Sequence, residues 1–179
     1  MNSSVTLKII PGDRRRHSAA ILAIFNEAIV NSTALYDYKL RTDADMEAWF
    51  DGKERKNYPV ICAENPAGEL LGFASYGQFR ERPAYKYSVE HSVYVHARHR
   101  GLGVGRTLLQ AIIEAARGQD YHVLVGGIDA SNAVSIKLHE SLGFTACGIV
   151  KQAGFKFGRW LDLAFYQLIL STPVAPVDG

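Results

Sequence analysis

Only two cysteines, Cys62 and Cys147, occur in the 179 residues, and both fall in apolar, strand-like runs. Two small buried thiols in a reducing cytosol are the expected reading, which sets aside a disulfide framework and points to the cytoplasm. No apolar run approaches the ~18 residues of a membrane span. The opening MNSSVTLKII lacks a basic stretch leading into a long apolar segment, so neither a signal peptide nor a membrane partner is expected. Charge of one sign is equally scarce. The formal net charge is +2, and no basic patch is interleaved with aromatics, which argues against nucleic acid. Arg14, Arg15 and Arg16 read as the solvated start of a helix. There are no internal repeats and no linker, so residues 1–179 are expected to form a single domain, with a core over about 5–170 and a frayed tail over 171–179.

What is present centres on the run from Val89 to Arg117. It begins as a strand, with Val89, His91, Val93 and Val95 alternating against Glu90, Ser92, Tyr94 and His96. It ends as a helix, with Leu108, Leu109, Ile112, Ile113 and Ala116 at three-to-four spacing. Between them lie Arg100, Gly101, Leu102, Gly103, Val104, Gly105 and Arg106. Glycines at a strand-to-helix junction leave backbone N–H groups uncovered and permit positive φ. The first turn of the helix adds unsatisfied donors and a dipole that favours an anion. The spacing is neither the dinucleotide fingerprint nor the P-loop. A pyrophosphate pocket is the functional reading; a glycine-rich turn capping an ordinary helix is the bland one.

Around that centre the chain reads in order. Val5 to Ile10 forms a first strand, closed by Pro11 and Gly12, and Asp13 caps a helix bearing Ala20, Ile21, Ile24, Phe25, Ala28 and Ile29. The loop from Asn31 to Tyr38 either lines a pocket or covers the core edge. Thr42 or Asp43 caps a helix with Met46, Trp49 and Phe50. Tyr58 to Glu64 and Leu70 to Tyr76 are strands about a turn at Asn65–Gly68. Gln78 to Lys86 is a polar link. His122 to Ile128 is a buried strand. Asn132 caps a helix with Val134, Leu138 and Leu142 on one face and Gly143 as its stop. Thr145 to Val150 and Leu161 to Leu170 are the last strands, around a link from Lys156 to Trp160. The fold class is α/β in the α+β sense, a mixed and mostly antiparallel sheet of about seven strands with helices on both faces.

Five stretches carry a resemblance: SYGQFR, VEHSVYV, RGLGVG, SNAVSIKLHESLGF and GFKFGRWLDLAFYQL. In this order they resemble the GNAT superfamily of N-acetyltransferases, and within it the phosphinothricin and methionine sulfoximine acetyltransferase branch, over about Ile9 to Leu170. The resemblance implies a GNAT fold and acetyl-CoA as co-substrate, with no metal. It also implies that Val93, Tyr94 and Val95 line the acetyl and pantetheine arm and that Gly101 to Arg106 hold the pyrophosphate. Asn132 and Ser135 would touch the coenzyme A arm. Arg80, Glu81 and Arg82, with Glu90, His91 and Ser92, would surround a small amine substrate. The branch forms homodimers, so the Phe157 region would complete a neighbour's site. Many superfamily members have a tyrosine seven residues after the asparagine; here, as in the branch, that position is a histidine, His139.

Acetyl transfer to an amine needs a base, a polarised thioester and a protonated leaving thiolate. Glu90, a carboxylate beside an apolar strand, is the candidate base, acting directly or through one water; a surface glutamate is its alternative. A backbone N–H of Val93 to Val95 is the candidate to polarise the thioester carbonyl. His139 is the second catalytic candidate, as acid or relay, against an exposed or capping histidine. Arg80 and Arg82, two apart on an extended link, would face one pocket and bind an acidic group bidentately, against a solvated pair flanking Glu81. His91, His96 and His99 cross a strand end rather than one helical face, so no metal is expected. A non-catalytic acyl-CoA-binding module and a protein N-acetyltransferase are the competing functions.

Overall fold

The computed structural model describes residues 6–178; of the expected first strand, Val5 lies outside them, as does Gly179 of the tail. Seven strands form one sheet: β1 (Lys8–Pro11), β2 (Val60–Glu64), β3 (Leu70–Gln78), β4 (Ser88–Val95), β5 (Val123–Asp129), β6 (Thr145–Lys156) and β7 (Arg159–Ile169). Their spatial order is β1-β2-β3-β4-β5-β7-β6. The β1–β2, β2–β3, β5–β7 and β6–β7 pairs are antiparallel, and β4–β5 is parallel. Among the described residues four α-helices accompany it: α1 (Arg14–Asn31), α2 (Asp43–Arg55), α3 (Val104–Gly118) and α4 (Ala133–Glu140). The packing divides into two compact units, Met1–Ser75 with Ser92–Ile112, and Tyr76–His91 with Ile113–Gly179.

In the first unit, the Asp13 carboxylate caps α1 by accepting from the Arg16 amide at 2.8 Å, and Thr42 with Asp45 forms a capping box on α2. The two helices bring Ile21, Ile24, Phe25, Met46 and Phe50 against Cys62, Leu70 and Phe73. Phe25 stands edge-on to Trp49, Phe73 and Tyr94. On the opposite face of β3, a Cβ on Gly72 would lie 3.1 Å from Leu108 Cδ1, so α3 packs there. Arg14 pairs with Glu47, Asp51 and Glu54. The buried Glu64 carboxylate accepts from His17 Nε2 at 2.8 Å and Arg16 at 2.7 Å. The basic run is therefore not merely solvated: Arg14 and Arg16 are spent on ion pairs, and Arg15 is exposed.

In the second unit the hairpin of β6 and β7 departs from expectation. The Lys156–Trp160 link is no loop: Phe157 and Gly158 alone turn the chain, with φ of 51° and 72°, the geometry of a tight two-residue hairpin. Register shifts between Val150 and Gly154 mark a bulge, held by Asp162, which accepts from Lys151 Nζ and the Gln152 amide. The tail is docked rather than frayed. Thr172 donates to the Tyr121 carbonyl at 2.5 Å, and the Val177 amide donates to the Tyr87 hydroxyl at 3.1 Å. On α4 the expected apolar face is wrong: Val134 is 81% exposed, and His139 is the buried residue. Cys62 is buried as expected, whereas Cys147 is exposed.

Candidate active site

The glycine loop has the backbone its sequence requires. Gly101 and Gly103 take φ of 77° and 84°, and a Cβ at either would meet nothing within 4 Å, so the loop is open in front. The Gly103 carbonyl accepts from the Thr107 amide at 3.1 Å, which starts α3 there, with Gly105 already helical. The first-turn amides that follow Gly103 therefore have no helical acceptor and face an uncovered loop. Val104 is buried and anchors it; Arg106 is exposed. Arg100 is turned elsewhere, since its guanidinium pairs with Glu27 and donates to the Val95 carbonyl. Its charge is largely committed.

The second unit contains a cavity of about 600 Å³ lined by Phe79, Arg80, Tyr85, Ser88, Val125 and Gln167, among others. The Arg80 guanidinium lies 4.7 Å over the Phe79 ring, and Phe79 meets Tyr85 edge-on. Glu90 follows Ser88 by two residues, so both project from one face of β4, and it stands opposite Val125 of β5. Burial raises the Glu90 pKa, with Arg80 pulling the other way. Arg82 does not join Arg80 in the lining, although Arg80, Glu81 and Arg82 are all exposed; it precedes the short turn Pro83–Tyr85. The pairing of β4 with β5 ends at Glu90, and the next strand residues, Ser92 to Val95, are half-buried.

His91 points the other way. His139 Nδ1 lies 2.7 Å from the Ser135 carbonyl, which can only accept, so that nitrogen carries the proton. The Nε2 of His139 is then an acceptor, and His91 Nε2–H donates to it at 2.9 Å. Among the described residues His91 Nδ1 is left buried without a hydrogen-bond partner. Phe144 packs against both rings. Burial lowers both imidazole pKa values, that of His91 to about 3 with His139 reinforcing the effect. Both are neutral at pH 7. Glu90 and His91, grouped in the sequence reading around one substrate, thus serve opposite faces of the strand. Asn132 is occupied as a cap, accepting from the Ser135 amide at 3.1 Å. Among the described residues no group of three or more His, Cys, Asp or Glu could hold a metal.

A family profile described as acetyltransferase (GNAT) family matches residues 23–144. This chain is a member of the GNAT acetyltransferase family. A curated L-methionine sulfoximine/L-methionine sulfone acetyltransferase of Pseudomonas paraeruginosa is 51% identical over 150 residues, covering 84% of this chain and 87% of that relative. A solved structure from Acinetobacter baylyi ADP1 superposes with a TM-score of 0.97, at 53% identity over 100% of each chain. The GNAT phosphinothricin acetyltransferase of Sinorhizobium meliloti, solved with AcCoA, superposes at 0.91 with 31% identity, covering 96% of this chain and 93% of its own.

Several residues of this acetyltransferase at the cavity escaped the sequence reading. Cys147, Phe165 and Gln167 line it, but they sit on strands whose apolar alternation marks them only as core. The pair Gly126–Gly127 lies in β5 between Val125 and Ile128. Two glycines in a buried strand are a legible sign of close approach by other groups. The structure identifies those groups as the two histidines and Glu90.

Proposed function

We propose that this acetyltransferase moves the acetyl group of acetyl-CoA to the amine of a small amino-acid-like acceptor of the methionine sulfoximine, methionine sulfone or phosphinothricin type. The observation that carries the reading is Glu90, a carboxylate whose pKa is raised by burial, on the face of β4 that borders a cavity holding Arg80. The names of the relatives supply the acceptor class. Both units are read as one acetyltransferase domain, since the family match at residues 23–144 runs through each. No helix among the described residues is long and apolar enough to cross a membrane. Its two free cysteines suit a reducing compartment, and on that ground the enzyme is assigned to the cytoplasm.

The amides of Gly101 to Arg106 receive the pyrophosphate at the start of α3, and the backbone of Val93 to Val95, beyond the end of the β4–β5 pairing, receives the acetyl arm. Arg80 binds the acidic group of the acceptor through a planar fork of donors. Glu90, directly or through one water, takes a proton from the ammonium. The freed amine attacks the thioester carbon, the C–N bond forms, the C–S bond breaks and the thiolate takes the second proton, which the new amide nitrogen gives up. A raised carboxylate pKa makes Glu90 a stronger base, worth typically ~10²–10⁴-fold in rate. His139, with one nitrogen given to Ser135 and the other to His91, holds β4 in place and is not assigned the final proton. The exposed Ile149, Phe157 and Trp160 of the edge hairpin are assigned to a second copy of the chain, which sedimentation would register as a dimer.

Release of free coenzyme A thiol, followed with methionine sulfone, methionine sulfoximine, phosphinothricin, ordinary amino acids and a lysine peptide, tests the reading. Turnover should concentrate on the first three. Turnover of the peptide alone would reassign the enzyme to protein substrates, and no turnover would favour a binding module.

A further inference from the structure

Adjacent glycines in a strand point to opposite faces, and Gly126 and Gly127 each leave room for an ionisable group. A Cβ at Gly126 would stand 3.0 Å from His91 Cε1 and 3.4 Å from His139 Nε2. A Cβ at Gly127 would stand 3.1 Å from Glu90 Oε1, 3.3 Å from Leu163 Cδ1 and 3.9 Å from Phe165 Cε1. Gly127 pairs with Phe165 of β7 and is itself exposed, where the residues on either side of it are buried. Neither glycine has a positive φ, so backbone freedom does not explain them; the missing side chains do.

We infer that Gly127 is a positioning residue that seats the Glu90 carboxylate. The inference rests on Glu90 being the base. Any side chain at 127 takes part of the space beside Oε1, and the carboxylate, at the end of three rotatable bonds, yields more readily than the sheet. It then swings away from the place where it meets the ammonium. Gly126 performs the matching service on the other face, leaving the imidazole pair its space. The strand thereby carries two adjacent gaps, one for an ionisable base and one for a neutral pair.

The test is a double-mutant cycle. Gly127→Ala is made in the wild-type and Glu90→Gln backgrounds, and kcat/KM for the amine is measured with the affinity for acetyl-CoA. Displacing the base by a few tenths of an ångström should lower kcat/KM about tenfold in the wild-type background, since a 1 Å error costs roughly 10²-fold. In the Glu90→Gln background the same change should have almost no effect, because no base remains to be moved. Glu90→Asp, with its carboxylate drawn back by one methylene, should suffer less from Gly127→Ala than glutamate does. Gly126→Ala should instead show the same loss in both backgrounds. Should Gly127→Ala fold poorly, Gly127→Ala with Leu163→Ala removes the second-nearest contact; failure of that pair to fold would contradict the inference, making Gly127 a packing requirement. An equal loss with and without Glu90, or none at all, overturns the inference and leaves the base standing. A Glu90→Gln enzyme of native rate overturns the base itself.

Discussion

His91 Nε2 and His139 Nε2 lie 2.9 Å apart, joining β4 to α4 through a hydrogen bond whose direction is set by the Ser135 carbonyl at its far end. Protonating either ring would place a charge in a buried site, and protonating His139 would also remove the acceptor of the bond. We therefore assign the pair to the stability of the fold rather than to proton delivery. Glu90, one residue along β4 and on the other face, has the opposite character: an ionisable group kept beside a cavity.

The first prediction concerns acid. Both histidines have pKa values below the unfolded value, so the unfolded chain binds more protons below about pH 6.5. Stability is complete above that pH and falls as pH drops towards the folded values, by up to ~1.4 kcal/mol per pH unit for each histidine. Urea melts between pH 7.5 and 4.5 should show this slope in the wild type. Replacing both histidines with phenylalanine should flatten it. An unchanged slope in the double variant would mean that other groups set the acid limit.

Gly103 should not accept a branched side chain. Its φ of 84° strains valine by ~1–3 kcal/mol, and the added bulk covers amides of the α3 start. Gly103→Val should weaken acetyl-CoA binding about tenfold or more by calorimetry. Native affinity would remove the loop from the coenzyme site.

The two arginines should separate. Arg80 lines the cavity and Arg82 does not. Arg80→Ala should raise KM for the amine roughly tenfold, the value of a charged hydrogen bond at an exposed cavity wall, and leave acetyl-CoA binding alone. Arg82→Ala should have a much smaller effect. Equal effects would return both guanidinium groups to one pocket.

The thiols should differ too. Cys147 is exposed at the cavity wall, whereas burial pushes the Cys62 thiol up to about 12, with Glu64 adding to the shift. Iodoacetamide should label Cys147 alone by mass spectrometry, and saturating amine should slow that labelling. Labelling that is indifferent to amine would place the acceptor outside this cavity.

Much of the fold was legible because its signals are local. Asp13, Thr42 and Asn132 cap their helices as their types and spacing require, and the glycine loop takes the positive φ that glycine permits. The rest depended on distant partners. His91 alternates like any inward strand residue, and only the fold brings His139 to it. Val134 follows an apolar pattern on α4, yet it is His139 that becomes buried. The tail carries prolines and polar residues, and its attachment through Thr172 and Val177 needs acceptors from chain far upstream. Arg82 shares its sequence spacing with a cavity residue but precedes a short turn that leaves it outside.

Glu90→Gln tests the central claim most directly, because it preserves the shape of the side chain and removes only its basicity. The measurement is kcat/KM for the amine from pH 6 to 10, with acetyl-CoA affinity determined alongside. The predicted result is a fall of ~10²–10⁴-fold near neutrality, unchanged acetyl-CoA binding, and a residual rate that climbs with pH as the amine loses its proton unaided. A Glu90→Gln enzyme that retains near-native kcat/KM across neutral pH would contradict the account, and the base would have to be sought elsewhere.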